Sequence, residues 1–308
     1  MRVLVGYSSD DRGADALALA ALVVRAAGAS LVVANVHPPP WPARGPGSVD
    51  AEWVAYLKGE SQAALTEAAG KLAASDVPES DVTLRVHSHR GSGRGLIEVA
   101  RAAGADLIVI GSAPRGRRGR IAIGSTADQL LHGSPVPVLL APRGYADDPP
   151  GRFERMTVAY WRRKDADGPL SAAAEIAAAL DVPMRLLTLV LRPPGIAAKF
   201  KDAGGVLDRQ AAQADDDLRE AAARFGGGTP VERLAAVGTG IAKTLGAVDM
   251  LPGEVLACLS SHDGPLRKVF LGESSGKIVR AAPCPVLLMP RGAAAAPGAA
   301  SGAKSQVR

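Results

Sequence analysis

Short apolar runs alternate with longer amphipathic ones along the chain. The run "RVLVGY" (2–7) is β-rich and of strand length, and predicts a buried strand. It is followed by "ADALALAALVVRAAG" (14–28), an Ala/Leu-rich helix pattern that stops at Gly28. A second strand pattern is "SLVVANV" (30–36). In "SVDAEWVAYLKGESQAALTEAAGKLA" (48–73), Val54, Leu57, Ser61, Leu65, Ala68 and Leu72 fall three or four apart, on one face of a long helix. Strands are then predicted over "VTLRVHS" (82–88), "ADLIVIGS" (105–112) and "VPVLLAP" (136–142), with helices over "GLIEVARAAG" (95–104) and "STADQLLHG" (125–133).

The second half repeats the first. "SPVPVLLAPRG" (134–144) returns as "APCPVLLMPRG" (282–292), an offset of 148 residues between Pro137 and Pro285. "VLVGYSS" (3–9) is answered by "MTVAYWR" (156–162). Self-similarity on this scale means two domains of one fold. "MTVAYW", "MRLLTLVL", "VERLAAV", "EVLACLSS" and "PVLLMP" predict the second set of strands, and Leu207, Ala211, Ala214, Leu218, Ala222 and Phe225 one face of its long helix. Val/Leu/Ile strands alternating with helices indicate an α/β fold, a parallel sheet covered on both faces. The expected domains are 1–145 and 155–292, joined by a linker over 146–154 and followed by a disordered tail, 293–308.

Composition narrows the class. Hydrophobic residues make up 47% of the chain and aromatics only 4%, so the core is Ala, Val and Leu. The net charge of +5 is concentrated in Arg115, Arg117, Arg118 and Arg120, a pattern of local anion binding more than of a nucleic-acid surface. Cys258 and Cys284 have no metal-ligand spacing and sit in apolar runs, as buried hydrophobes do. The chain opens directly on a strand pattern and no stretch reaches membrane-span length, so the expectation is a soluble, cytoplasmic protein without a metal centre.

The candidate chemistry lies in "IGSAPRGRRGRIAIGST" (110–126). In doubly wound sheets, ligands bind beyond the carboxyl ends of the strands at the switch point, here the ends of the first and fourth strands. Gly111 follows the fourth strand, where a glycine lets backbone approach a bound group. Gly124 precedes Ser125 and Thr126 at a helix start, where free N–H groups aim at an anion. The arginines admit three readings: a solvated loop, a phosphate or acidic-ligand contact, and a nucleic-acid contact. No aromatic residue interleaves with them, which weakens the last. His87 and His89 share a strand face, but no cysteine or carboxylate close in sequence completes a metal site, so "HSHRGSGRG" (87–95) reads as a loop. Ser8, Ser9 and Asp10 lack a paired base and form no triad; Asp10 reads as a helix cap.

Strand–Gly–Ser, a loop, Gly–Ser before a helix, and then "PVPVLL" resemble the universal stress protein family in its tandem form. The resemblance implies a Rossmann-like, adenine nucleotide alpha hydrolase-like fold, with strand order 3-2-1-4-5 in each half and the final strands, 136–141 and 285–289, meeting across a pseudo-twofold. It implies a stress-response binding or regulatory protein rather than an enzyme, forming a built-in pseudo-dimer. Its cofactor, where there is one, is ATP or another adenine nucleotide in the N-terminal half. The family motif G-x2-G-x9-G-[S/T] is met by Gly111, Gly124 and Ser125, with Pro114 at the middle glycine. Ser8 stands where nucleotide-binding members carry an Asp, Val36 fits their apolar wall around adenine, and Arg115 offers charge beside the missing donor. In the second half the matching positions hold Leu259, His262, Gly272, Glu273 and Trp161, which implies no ATP site. Trp161 is expected to fill that abandoned pocket or to pack between the domains, rather than to stack on a ligand. Ser8 and Pro114 imply that the N-terminal ATP site is lost or weakened. The alternatives are one working N-terminal ATP site, with or without slow hydrolysis, and an interaction scaffold using the two cleft faces or 38–49 with Trp41.

Overall fold

The computed structural model describes residues 1–39, 49–162, 166–192, 203–225, 231–259 and 273–290. Trp41, His262, Gly272 and the expected tail lie outside them.

The first half is β1 (Arg2–Gly6), α1 (Asp11–Ala27), β2 (Ser30–His37), α2 (Val49–Ala73), β3 (Val82–Ser88), α3 (Ser92–Ala103), β4 (Leu107–Gly111), α4 (Ser125–Leu131) and β5 (Val138–Ala141). The second is β6 (Arg155–Ala159), α5 (Asp167–Ala179), β7 (Met184–Leu191), α6 (Ala203–Phe225), β8 (Glu232–Gly238), α7 (Ile241–Gly246), β9 (Glu254–Leu259), α8 (Glu273–Ala281) and β10 (Val286–Met289). Helix α1 starts where its sequence provides a cap. The Asp10 side chain accepts from the Gly13 amide, and left-handed Gly28 ends the helix.

The strands form one ten-stranded sheet in the order β3-β2-β1-β4-β5-β10-β9-β6-β7-β8. Each half therefore has the order 3-2-1-4-5 with parallel pairing inside it. The seam is antiparallel: Val286 faces Leu140, Leu287 faces Leu139 and Leu288 faces Val138. Leu139 and Leu287 are repeat counterparts, since 287 − 139 = 148 is the offset in the sequence, so the pseudo-twofold passes between them. The halves differ mainly at the third helix, with 12 residues in α3 and 6 in α7.

Two apolar layers run through both halves, one on each sheet face. Leu139, Ala141, Leu287 and Met289 join the layer under α1, α2 and α5. Val138, Leu140, Val286 and Leu288 join the layer under α3, α4 and α8. Alternation along each seam strand thus feeds both cores. The α2 stripe is only partly buried. Ser61, Leu65, Ala68 and Leu72 are buried, but Val54 and Leu57 remain partly exposed. Nearby, Trp53 and Tyr56 stack on each other in solvent with ring centroids 5.5 Å apart.

The connection between the halves is packed. Asp15, only 2% exposed, accepts from the amides of Gly144 (2.8 Å) and Ala146 (2.9 Å), while Tyr145 and Phe153 are buried. Burial holds the Asp15 carboxyl above its usual range, against the pull of these two amides.

An ionic cluster occupies the amino ends of the second-half strands. Arg185 is buried and donates to Thr157 Oγ1 at 2.9 Å and Glu254 Oε1 at 3.0 Å. Arg155 donates to Glu254 Oε2 at 2.8 Å and Glu232 Oε2 at 2.9 Å, and Thr157 also bonds Glu254. In the register of β1 and β2, the positions of Thr157 and Arg185 hold Leu4 and Val32. Burial pushes the Glu254 carboxyl up, but hydrogen bonds from Arg155, Thr157 and the Leu251 amide outweigh it and leave the group below its usual value. Removing one partner of such a cluster strands the other charge in a dry site. Glu254→Ala is therefore expected to destabilise the fold by about 3–5 kcal/mol in urea unfolding at pH 7. The depressed carboxyl contributes stability above its unfolded value near 4.5, and that contribution is lost as pH falls through the folded value. Accordingly, the gap in urea midpoint between wild type and variant should narrow on acidification below that value.

Candidate functional site

A cleft of about 220 Å³ opens at the carboxyl ends of β1, β2 and β4, where the chain winds to opposite sides of the sheet. Ser8, Val36, Gly111 and Thr126 line it, so four of the residues singled out in the sequence come together. Arg115, Gly124 and Ser125 lie outside the lining. Ser125 and Arg115 are exposed, and Gly124 is the residue before α4. Sequence reasoning missed Arg12, Asn35 and Ser92, which also line the cleft. The signal for Asn35 was present as an amide inside an apolar strand.

The exit of β1 is fixed by backbone and side chain together. The Tyr7 amide donates to Ala34 O at 2.9 Å, and Asn35 Nδ2 donates to Tyr7 O at 2.9 Å. Ser8 Oγ then donates to Asp10 Oδ1 at 2.8 Å, Arg12 Nε donates to Asp10 Oδ2 at 2.9 Å, and the Gly13 amide completes the cap at 3.1 Å. Burial raises the Asp10 carboxyl, but Arg12, Ser8 and the Gly13 amide together hold it below its ordinary range. On the α2 side, Lys71 Nζ meets Glu67 at 2.7 Å and the buried Tyr7 hydroxyl at 3.3 Å. Thr126 Oγ1 reaches Ser92 Oγ at 2.6 Å across the cleft.

Gly111 serves the fold directly. A Cβ there would lie 2.1 Å from the Arg12 carbonyl oxygen, so the missing side chain lets α1 begin against the end of β4. The loop after it is closed on itself. The Ala113 amide donates to Ala122 O (2.9 Å), Ala122 to Ser112 Oγ (2.8 Å), and Gly116 to Ala113 O (3.2 Å). Pro114 takes the second position of that 113–116 turn, a place that suits its fixed φ and needs no amide. Farther along, the Gly119 amide donates to Arg143 O at 2.9 Å and the Arg120 amide to Arg117 O at 3.1 Å. These five amides are therefore occupied within the protein.

Other expectations change. Residues 92–95 form the first turn of α3, not a loop, because Gly91 ends the strand exit in extended backbone and the glycines at 93 and 95 pack closely against α4 and β2. The cleft receives Ser92 and Leu96 from the start of α3. His87 lies on β3, and Glu98 of α3 stands 2.8 Å from its Nε2 and 3.6 Å from that of His89. Hydrogen bonding from His87 holds the Glu98 carboxyl low. Sequence distance hid this carboxylate, which comes from the next helix. No group of three or more His, Cys, Asp or Glu among the described residues is arranged to hold a metal ion. Cys258 and Cys284 are buried and unpaired, with thiols pushed up to about 12 by burial, which suits apolar filling and not reactivity.

The second half departs from the first at the same level. Thr188 Oγ1 donates to Tyr160 O at 2.8 Å, the counterpart of the Asn35 bond. Trp161, the counterpart of Ser8, is 37% exposed and lines a cleft with Thr188 and Leu189, which stand where Asn35 and Val36 do, and with Gln210 and Gln213 of α6. Beside it Arg162 pairs with Asp217 (3.0 Å) and Glu220 (2.8 Å) of that helix.

A model described as the universal stress protein family matches residues 1–142 and 152–290. The chain belongs to the universal stress protein family. Universal stress proteins of Mycobacterium bovis and Mycobacterium tuberculosis are each 35% identical over 295 residues, covering 94% of this chain and all of the relative. The crystal structure of a universal stress protein from Archaeoglobus fulgidus superposes with a TM-score of 0.66 at 18% identity, covering 94% of this chain and 98% of that one, a likeness of fold. No helix among the described residues of this tandem universal stress protein is long and apolar enough to cross a membrane.

The contact at Gly111 yields a prediction. Gly111→Ala forces α1 away from β4 and should lower stability by about 1–3 kcal/mol, read as a drop in the thermal midpoint.

Proposed function

We propose that this universal stress protein is a stress-response binding and regulatory protein whose N-terminal half holds an adenine nucleotide weakly and whose C-terminal half holds none. The observation that carries this reading is the first-half cleft, with Ser8, Val36, Gly111 and Thr126 on its walls. Val36, Leu96 and Ile110 offer an apolar side for a base, and Ser8, Asn35, Ser92 and Thr126 offer hydroxyls and an amide. Arg12 supplies the cation, already shared with Asp10.

Three features support weak rather than tight holding. The cleft, at about 220 Å³, is below the roughly 300–1,000 Å³ usual for ligand pockets. Ser8 provides a hydroxyl where the nucleotide-binding pattern has a carboxylate. The loop amides at 113, 116, 119, 120 and 122 already have acceptors, which leaves the start of α4 at Gly124 and Ser125 as the phosphate end. In the second half, Leu259 and Glu273 depart from the motif, and an indole, Trp161, stands on the cleft wall where the first half has Ser8.

Calorimetric titration with ATP and magnesium tests the reading. One site per chain is expected, with a Kd of about 0.1–1 mM. Gly124→Asp should abolish the heat, since it puts a carboxylate at the phosphate end. Micromolar binding, or two sites per chain, would overturn the reading.

A further inference from the structure

A separate cleft of about 480 Å³ lies between the halves and shares no lining residue with the first. Arg117 and Arg120 reach it from the loop after β4, and Arg280 from the last turn of α8. Ile121, Ile123 and Ala242 give it an apolar floor, and Ile121 is almost fully buried.

The arginines are placed by built backbone. Residues 117–120 form a turn closed by the Arg120 amide on Arg117 O at 3.1 Å, with Gly119 left-handed at φ +70°. The ends of such a turn lie within about 7 Å of each other, so two like charges are set side by side. The turn is fastened to the exit of β5 in both directions, by the Gly119 amide on Arg143 O and the Arg143 amide on Arg120 O at 3.1 Å. Arg143 Nη1 also donates to Gly116 O at 2.8 Å. Within this one turn the charges divide: Arg118 pairs with Asp147, whereas Arg117, Arg120 and Arg280 have no carboxylate partner among the described residues. Among the described residues the Arg120 side chain donates from Nη1 to Gly119 O at 2.9 Å.

Three guanidinium groups at one open cleft with an apolar floor concentrate positive potential there. Each presents a fork that matches phosphate oxygens two at a time. We infer that this inter-half cleft is a second ligand site, for a small organic phosphate whose charged group meets Arg117, Arg120 and Arg280 while its apolar body rests on Ile121 and Ile123. The volume suits such a ligand. Among the described residues the lining holds no aromatic ring on which the bases of a single strand would stack, which argues against nucleic acid.

The test is calorimetric titration of the full chain with 1-naphthyl phosphate and with inorganic phosphate. Wild type should bind the naphthyl ester about tenfold or more tighter than phosphate, because only the ester uses the floor. Arg117→Ala with Arg280→Ala should weaken it by about tenfold or more, and Arg117→Lys by less, since charge is kept and the fork lost. These side chains are exposed, so the variants should keep the wild-type thermal midpoint. Gly124→Asp should leave naphthyl phosphate binding intact, which separates this site from the nucleotide cleft. Equal affinity in the double-alanine variant, no preference for the ester over phosphate, or tighter binding of an oligonucleotide that grows with its length would each overturn the inference.

Discussion

The pairing of β5 with β10 is the contact on which the rest of the molecule depends. Each half ends its sheet on a four-residue strand with every side chain buried, and neither would be covered alone. Joined antiparallel, they satisfy each other's backbone and carry both apolar layers across the middle of the molecule. Because the seam is antiparallel, the carboxyl-end loops of one half lie beside the amino-end side of the other. That inversion brings the arginine turn of the first half to the end of α8.

Much of this was legible in the sequence, for physical reasons. Continuous runs such as "LIVIG" and "VLLA" have one stable use, as strands covered on both faces. The seam was implied by the family resemblance alone, and the 148-residue offset of the repeat reappears in it as the Leu139–Leu287 pair. What stayed hidden was the use of polar groups in apolar surroundings. Asp15 sits in an Ala/Leu helix, Arg185 in "MRLLTLVL" and Glu254 before "VLACL". Apart from the Leu251 amide beside Glu254, the partners named for them lie 28 to 131 residues away, and no local pattern announces them. Helix α5 was similarly silent: "DGPLSAAAEIAAA" is so rich in alanine that its polar face hardly registers.

The candidate site was legible as a set of positions and less so as a set of reasons. Gly111 stood out as a glycine after a strand, but its cause is the Arg12 carbonyl pressed against it. Pro114 read as a lost amide, and it is also the residue that shapes a turn. The arginines read as a single cluster, yet one turn divides them between an ion pair and a cleft. In each instance the residue type was informative and its neighbour in space, which decides the role, lay in another element.

The seam also fixes what the molecule offers to other copies of itself. A lone domain of this fold leaves its fifth strand bare as an adhesive border, and two chains can share it. Here both positions are taken within one polypeptide, so that border is closed. The remaining open borders are β3 and β8, at opposite extremes of the sheet. Any larger assembly has to grow outward from those extremes or through helical flanks, and the tandem unit enters it as the indivisible block.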